Sequence, residues 1–253
     1  MTTVVMVHGA FCGGWAFETF REPFEALGWT VLAPDLRGHG PDAPADAVTG
    51  VSMTDYAADL VTLCQGLAER PILLGHSMGG LVCQMAARRL EIEALVLLCP
   101  SPPWGVTGSS VEEAITAMGV QMLGPFASGA IAPDAQLMRN HSLDRVPAPE
   151  RDAILARLRP ESGRAVRETL NWWLDPFMTT SVGPGRLQAA CLALVGARDV
   201  VHPPETVRQT AERIGARYQV LPGMSHWLIG EPGWADVAQM ALAWLAEERR
   251  AAA

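Results

Sequence analysis

The chain has 253 residues, of which 49% are hydrophobic and 18% charged. This length and composition exclude a disordered chain and allow either one large domain with a substantial core or two small ones. The 27 acidic and 19 basic residues give a net charge of −8, which disfavours nucleic acid and anionic membrane surfaces as partners. A small-molecule substrate remains as the expected partner.

Cysteine usage and the N-terminal sequence indicate the compartment. The cysteines are five in number and scattered, and they predict buried free thiols rather than disulfides or a thiolate metal site: Cys12, Cys64, Cys83, Cys99 and Cys191. The N-terminus shows no basic region with a small-residue cleavage site, and no apolar run approaches the roughly 18 residues of a membrane-spanning helix. We therefore expect a cytoplasmic protein without membrane association.

Short aliphatic runs recur along the chain and predict buried β-strands. They lie at Val4 to Val7, Thr30 to Ala33, Ile72 to Leu74, Leu95 to Leu98, Cys191 to Val195 and Tyr218 to Leu221. Segments with helical periodicity lie between most of them. This alternation predicts an α/β protein with a mostly parallel sheet and helices on both faces.

Helix signals support this interpretation. Apolar residues repeat at spacings of three and four from Met53 to Leu67, and Ser52 followed by Asp55 is typical of a capping box. A second helix follows Gly79. A last one runs from about Pro232 to Glu248, and we expect the tail after it to fray.

Residues 101–188 interrupt the alternation, because they contain no convincing strand and their helical patterns are broken by prolines. We predict a helical cap inserted into a single domain that spans residues 1–253; a run of ordinary sheet-packing helices is the alternative. Its methionines and aromatic residues would form either an apolar pocket wall or the core of the cap itself: Trp104, Met118, Met122, Phe126, Met138, Trp172, Trp173, Phe177 and Met178.

The most informative segment is Gly75-His76-Ser77-Met78-Gly79, which follows an aliphatic strand and leads directly into a helix. A serine at such a tight turn adopts a strained backbone, and side chains at Gly75 and Gly79 would collide. Ser77 is therefore the candidate nucleophile. The N–H of Met78, at the positive end of the helix, is a candidate donor to an oxyanion.

A serine nucleophile needs a general base, normally histidine. His226 is the candidate because it follows the Tyr218 to Leu221 strand, at the edge where sites form in parallel sheets. The other five histidines are less well placed, being in loops before the serine, beside it, in the insertion or in a later loop: His8, His39, His76, His141 and His202.

The base in turn needs an orienting acid, and Asp199 follows the Cys191 to Val195 strand at the same predicted edge. Asp35 fits less well because it precedes the serine, and Asp175 and Glu205 lie on predicted helices. The glycine-rich turn from His8 to Trp15 would bring further backbone N–H groups near Ser77.

These residues together resemble the α/β-hydrolase superfamily, in its compact bacterial branch of esterase-like serine hydrolases. The order Ser77, Asp199, His226 matches that family's chain order. Val7-His8-Gly9 matches its oxyanion turn and Pro34 to Gly40 the loop after its second conserved strand. The likeness implies that the N–H of Ala10 is the second oxyanion donor and that residues 101–188 are the cap.

Departures from related patterns narrow the expected chemistry. The epoxide hydrolases and haloalkane dehalogenases of this fold carry an aspartate where this chain has Ser77. The similar plant hydroxynitrile lyases have a lysine and a threonine where Trp227 and Gly9 stand. These differences disfavour epoxide hydrolysis, dehalogenation and cyanohydrin cleavage, and acyl transfer to water remains as the expected reaction.

The resemblance implies a serine carboxylester hydrolase with a small-molecule substrate. The methionines and tryptophans of the predicted cap favour a small, largely apolar ester, and nothing in the sequence implies a metal or an organic cofactor. Two alternatives stay open. The first uses the same three residues on a lactone, a thioester or a C–C bond, or for cofactor-free oxygenation; the second is a non-catalytic ligand receptor.

Overall fold

The computed structural model describes residues 2–111, 118, 128–183 and 185–252. Its main sheet has six strands in the order β2-β1-β3-β4-β7-β8, and each neighbouring pair is parallel. The strands are β1 Thr3–Val7, β2 Thr30–Leu32, β3 Ile72–His76, β4 Ala94–Leu98, β7 Ala190–Gly196 and β8 Arg217–Leu221. The central β1, β3 and β4 carry almost wholly buried side chains, as a sheet covered on both faces requires.

The helices described between and after these strands are α1 Glu22–Glu25, α2 Met53–Gln65, α3 Met78–Ala87, α4 Ala135–Leu137, α5 Ala148–Arg157, α6 Gly163–Leu170, α7 Pro204–Ile214 and α8 Trp234–Ala252. Single helical turns occur at Gly14–Phe17, Met138–Ser142 and Trp172–Leu174. At the start of α2, Ser52 Oγ accepts from Thr54 N at 3.2 Å and Asp55 Oδ2 accepts from Ser52 N at 2.8 Å, which confirms the predicted capping box.

The chain changes direction in the sheet at β1. It moves from β1 outward to β2, then returns to β3 on the other side of β1 and continues outward to β8. Because crossover connections are right-handed, the helices that connect strands after this reversal, such as α2 and α3, lie on the opposite face from α1, whereas α8 follows the last strand and is not constrained in this way. Consistently, α1 packs against α8, while α2 packs against α3. The predicted α/β architecture, a mostly parallel sheet with helices on both faces, is confirmed.

The register aligns the C-terminal ends of the central strands. Val7 pairs with Gly75, His76 with Leu98, and Leu98 with Leu194. The loops that follow these strands therefore open at one edge of the sheet, next to the reversal at β1, where ligands bind in open α/β sheets.

The inserted segment, residues 101–188, contains short helices and one feature that the sequence did not predict. β5 Ala130–Ile131 pairs antiparallel with β6 Glu161–Ser162. Two residues per strand are too few to give a visible alternation of polar and apolar residues, which explains the omission. Residues 112–117 and 119–127, which include Met122 and Phe126, lie outside the described residues, and the division into one domain with a cap stays a prediction.

Other expectations have mixed outcomes. All five cysteines are buried and free, as predicted. The expectation of a frayed C-terminus is wrong, because α8 continues to Ala252 and Arg249 contacts Glu93 and Thr2. No helix in the described part of the chain is both long and apolar enough to cross a membrane.

Candidate active site

Ser77 stands at the turn between β3 and α3. Its backbone has φ 52° and ψ −124°, a conformation that costs a non-glycine residue about 1–3 kcal/mol. A Cβ on Gly75 would lie 2.5 Å from Gly79 O, and one on Gly79 would lie 2.2 Å from Val7 O. Only glycine fits at these two positions, so the strand, the turn and the helix hold Ser77 at the edge of the sheet.

His226 and Asp199 form a buried pair at the same edge. The Nδ1–H of His226 donates to Asp199 Oδ2 at 2.9 Å, and the two side chains are 3% and 0% exposed. The other carboxylate oxygen, Oδ1, accepts from the backbone N–H groups of Val201 and His202 at 2.8 and 2.9 Å. With Nδ1 donating, Nε2 is the ring nitrogen that carries a lone pair and accepts a proton.

The environment keeps Asp199 ionised. Burial by itself would raise the pKa of this carboxyl, but His226, His202 and the thiol of Cys99 outweigh burial and hold the pKa below its ordinary value. Asp199 is thus an anion at neutral pH, which stabilises a positive charge forming on His226.

His76 connects the serine turn to the His226 loop. Its Nε2–H donates to the carbonyl of His226 at 2.9 Å, and the two rings lie 5.0 Å apart. Burial, reinforced by the nearby His226, lowers the pKa of His76 to about 3, so this ring stays neutral. The residue directly before Ser77 therefore fixes the loop that carries the candidate base.

The turn after β1 approaches Ser77 closely. A Cβ on Gly9 would lie 3.0 Å from Ser77 Cβ, so the backbone that leads to Ala10 runs beside the serine. Gly14 N donates to Asp35 Oδ1 at 2.7 Å, which fixes the far end of this turn. Met78 is the first residue of α3, where backbone N–H groups have no acceptor within the helix. The backbone segments that carry the Ala10 and Met78 N–H groups thus lie beside Ser77.

The other candidates have different partners. His8 Nε2 accepts from Leu36 N at 2.9 Å, and burial lowers its pKa to about 4. His202 Nε2 lies 2.9 Å from Ser101 Oγ, with its ring 5.4 Å from that of His226. Asp175 accepts from the backbone of its own turn, and Glu205 pairs with Arg208 on exposed α7.

Two buried acidic residues near the site were not singled out from the sequence. Glu231 Oε1 accepts from Ser225 N at 2.7 Å, next to His226. Glu161, in the inserted segment, contacts the turn after β1. Nothing in their local sequence distinguishes them from surface acids, since both depend on contacts between distant parts of the chain.

One group of possible metal ligands occurs among the described residues. Cys99 Sγ and side-chain atoms of Asp199 and His226 lie within 4.8 Å of one another. Burial raises the pKa of the Cys99 thiol well above its ordinary value. A protonated thiol is a poor metal ligand, and Cys99 Sγ donates to Ser225 O at 3.6 Å, so this group does not favour metal binding.

The inserted segment uses several of its aromatic residues for its own packing. The rings of Trp104 and Trp172 lie 5.2 Å apart, and Trp104 Nε1 donates to Asp175 O at 3.3 Å. Phe177 is 86% exposed. A groove of about 1260 Å³ lies at the opposite edge of the sheet, beside the starts of β4 and β7, and is not part of this site.

Comparisons with known proteins support the fold. A model described as "Alpha/beta hydrolase family" matches residues 4–240. Salicylic acid-binding protein 2 of Nicotiana tabacum is 36% identical over 110 residues, 42% of each chain. Methylesterase 3 of Arabidopsis thaliana is 38% identical over 86 residues, 33% of this chain and 32% of that protein.

The matched segments thus span less than half of these two relatives. Among solved structures, a monoacylglycerol lipase of Paleococcus ferrophilus superposes with a TM-score of 0.74 at 23% identity, covering 97% of this chain and 94% of the lipase. At this identity the likeness concerns the fold.

Proposed function

Because the chain belongs to the alpha/beta hydrolase family, whose model covers residues 4–240, we propose that it is a serine hydrolase that cleaves a small, largely apolar carboxylic ester. Ser77 is the nucleophile, His226 the general base and Asp199 the orienting acid. The observation that carries this proposal is the buried hydrogen bond of 2.9 Å between His226 Nδ1 and Asp199 Oδ2, at the sheet edge where Ser77 stands.

In the first half-reaction, Ser77 Oγ attacks the ester carbonyl carbon while its proton passes to His226 Nε2. The carbonyl oxygen becomes an oxyanion that accepts hydrogen bonds from the N–H groups of Ala10 and Met78. When this intermediate collapses, the C–O bond to the alcohol breaks. His226 gives its proton to the leaving alcohol, and an acyl group stays on Ser77.

In the second half-reaction, water attacks the acyl group while His226 takes its proton. Collapse of the second oxyanion returns the proton to Ser77 and releases the carboxylic acid. Asp199 stabilises the imidazolium in both halves, since its negative charge lies against Nδ1. These steps balance with the ester and water as the only reactants.

The choice of an ester rests on the relatives. The Arabidopsis relative is called Methylesterase 3, which is the name of an esterase. Ester hydrolysis needs only a nucleophile, a base and an oxyanion site. Lactones, thioesters and diketones present the same carbonyl chemistry to this site. A substrate panel therefore decides the bond type.

The experiment measures turnover of p-nitrophenyl butyrate by wild type, Ser77→Ala, His226→Ala and His141→Ala. We expect the first two variants to lose about five to six orders of magnitude in kcat. His141→Ala, a histidine of the inserted segment, retains activity. Wild-type turnover by Ser77→Ala would overturn the assignment, and a preference for a lactone, thioester or diketone by orders of magnitude would replace the ester.

A second candidate function is binding of a small aromatic acid without turnover, which the name of the tobacco relative suggests. A fluorophosphonate label on Ser77 distinguishes an activated serine from an inert one. Tight salicylate binding in calorimetry, with no turnover of any ester in the panel, would favour the receptor.

A further inference from the structure

A single carboxylate of the inserted segment gathers donors from several parts of the fold. Glu161 is fully buried. Its Oε1 accepts from the Tyr56 hydroxyl and from Ser162 N, both at 2.7 Å. Its Oε2 lies 3.0 Å from His39 Nε2 and 3.4 Å from Phe11 N. The carboxylate thus joins the inserted segment to α2, to the loop after β2 and to the turn after β1.

The geometry around His39 indicates that this contact is an ion pair. His39 Nδ1 faces the carbonyl of Arg37 at 3.2 Å and Nε2 faces Glu161, so both ring nitrogens must donate and the ring is an imidazolium. Burial opposes both charges. The mutual hydrogen bond nevertheless raises the pKa of His39 above its ordinary value and lowers that of Glu161.

The inserted segment holds Phe11 from both sides. Arg159 N donates to Phe11 O at 2.8 Å, and Phe11 N points to Glu161 Oε2 at 3.4 Å. The second contact is long, but the full negative charge on Glu161 keeps it attractive. Phe11 has φ 65°, a left-handed conformation that a bulky residue adopts only when its surroundings impose it.

Phe11 directly follows Ala10, so contacts that hold the Ala10–Phe11 peptide restrict the backbone that carries the Ala10 N–H. We propose that Glu161 is a positioning residue that sets the oxyanion-binding turn and couples the seating of the inserted segment to stabilisation of the transition state. This inference rests on the proposed function, in which the Ala10 N–H binds the oxyanion. It predicts that loss of Glu161 weakens catalysis more than substrate binding.

A second buried carboxylate of the inserted segment supplies a matched control. Glu168 is 6% exposed and accepts from Ser52 Oγ at 2.9 Å and from Met53 N at 2.8 Å. It anchors the same segment to the core, but at the start of α2 instead of at the turn after β1. A general loosening of the inserted segment would therefore follow from either substitution.

The experiment compares Glu161→Gln with Glu168→Gln in the full chain. The glutamine that replaces Glu161 keeps an acceptor for Tyr56 but places an amide N–H₂ toward Phe11 N. We expect Glu161→Gln to lower kcat for p-nitrophenyl butyrate by about 10- to 100-fold, with KM changed less than about threefold. Affinity for a trifluoromethyl ketone, which forms a tetrahedral adduct on a serine, falls by the same factor as kcat/KM.

Glu168→Gln is expected to lower Tm while kcat stays within about twofold of wild type. Equal losses of kcat in the two variants, or unchanged kcat in a folded Glu161→Gln protein, would overturn the inference. If the wild type cleaves no ester, the proposed function fails instead, so the two failures are distinguishable.

A double-substitution cycle, with kcat expressed per serine titrated by the fluorophosphonate, keeps the test decisive if Glu161→Gln folds only in part. Phe11→Gly places the residue type that favours positive φ at this position, which makes the turn less dependent on Glu161. We expect Glu161→Gln to lower kcat by a smaller factor in the Phe11→Gly background than in the wild-type background. Equal factors in the two backgrounds would contradict a positioning role.

Discussion

At the scale of single residues, Asp199 determines which nitrogen of His226 carries the proton. It accepts from two backbone N–H groups through Oδ1 and from the imidazole through Oδ2. The backbone donors fix the carboxylate plane, so the orientation of the imidazole follows from the loop after β7 and not from His226 itself.

Asp199→Asn should therefore remove the base function of His226 while leaving the position of the ring nearly unchanged. An asparagine that keeps its oxygen on the backbone donors presents N–H₂ to His226 Nδ1, which forces the proton to Nε2 and removes the base. We expect kcat for p-nitrophenyl butyrate to fall about 10⁴-fold with little change in KM. Asp175→Asn is the control. A comparable loss of kcat in that variant would mean that Asp199 is not the orienting acid.

The turn at Ser77 is held partly by residues close in sequence and partly by distant ones. The glycines at 75 and 79 are visible in the sequence, and the atoms that require them are backbone carbonyls of β1 and α3. The collision at Gly75 is with Gly79 O, inside the motif, whereas the collision at Gly79 is with Val7 O of β1. The partner of His76, the carbonyl of His226, lies 150 positions away and has no local signature.

At the scale of elements, the loop from β8 to α8 carries His226, and Glu231 links two parts of this loop through a hydrogen bond. Glu231 Oε1 accepts from Ser225 N. Burial, with a contribution from Asp144, raises the pKa of Glu231 to about 7, although the hydrogen bond from Ser225 N and the charges of His226 and Arg145 act in the opposite direction. A carboxyl with a raised pKa binds its proton more tightly in the folded state, so its contribution to stability falls as pH rises from about 4.5 to 7.

Glu231→Gln keeps the acceptor for Ser225 N and removes the titration. We expect the Tm of this variant relative to wild type to increase between pH 5 and pH 8, equivalent to about 1–2 kcal/mol after screening by solvent. Differential scanning calorimetry at four pH values measures it. Glu205→Gln, on exposed α7, should show a constant difference over this range. A constant difference for Glu231→Gln as well would mean that Glu231 is already ionised at pH 5.

The elements differ in how well the sequence predicted them. Aliphatic runs predicted the six strands of the main sheet, since buried parallel strands have a strong local pattern. Together with the turn residues, they also predicted the strand ends at which Ser77, Asp199 and His226 stand. The β5 and β6 ribbon was not predicted. Its stability comes from Glu161 and from Ser162 Oγ, which donates to Val51 O at 2.5 Å, and such distant contacts leave no periodicity.

At the scale of the whole molecule, the inserted segment and the sheet are joined by charged contacts at separate places. The Glu161 pair with His39 is buried, whereas Arg157 pairs with Glu18 at 2.7 Å in a partly exposed position. A buried ion pair fixes the relative position of the groups that it joins, because breaking it leaves an uncompensated buried charge. An exposed ion pair contributes little to stability. The seating of the segment over the turn after β1 therefore depends mainly on Glu161, while Glu168 attaches the segment at the start of α2.

The two ends of the chain meet at the opposite edge of the sheet. In α8, the Arg249 guanidinium donates to both oxygens of Glu93 at 2.5 and 3.0 Å and to Thr2 Oγ1 at 2.8 Å. It also lies 4.6 Å above the ring of Trp29. These contacts explain why the helix continues through the tail that was expected to fray.

Arg249→Ala should consequently lower stability without affecting catalysis. A bidentate ion pair and a cation–π contact, both partly exposed, together contribute about 1–2 kcal/mol, which corresponds to a fall in Tm of about 2–6 °C for a chain of this size. Because β1 and β4 begin at this edge and the candidate site lies beyond their other ends, kcat for p-nitrophenyl butyrate should stay within about twofold of wild type.

The adjacent exposed Arg250→Ala is the matched control, with an expected change in Tm below about 1 °C. An equal fall in Tm for both variants would show that general helix charge, and not the contacts of Arg249, holds the C-terminus in place.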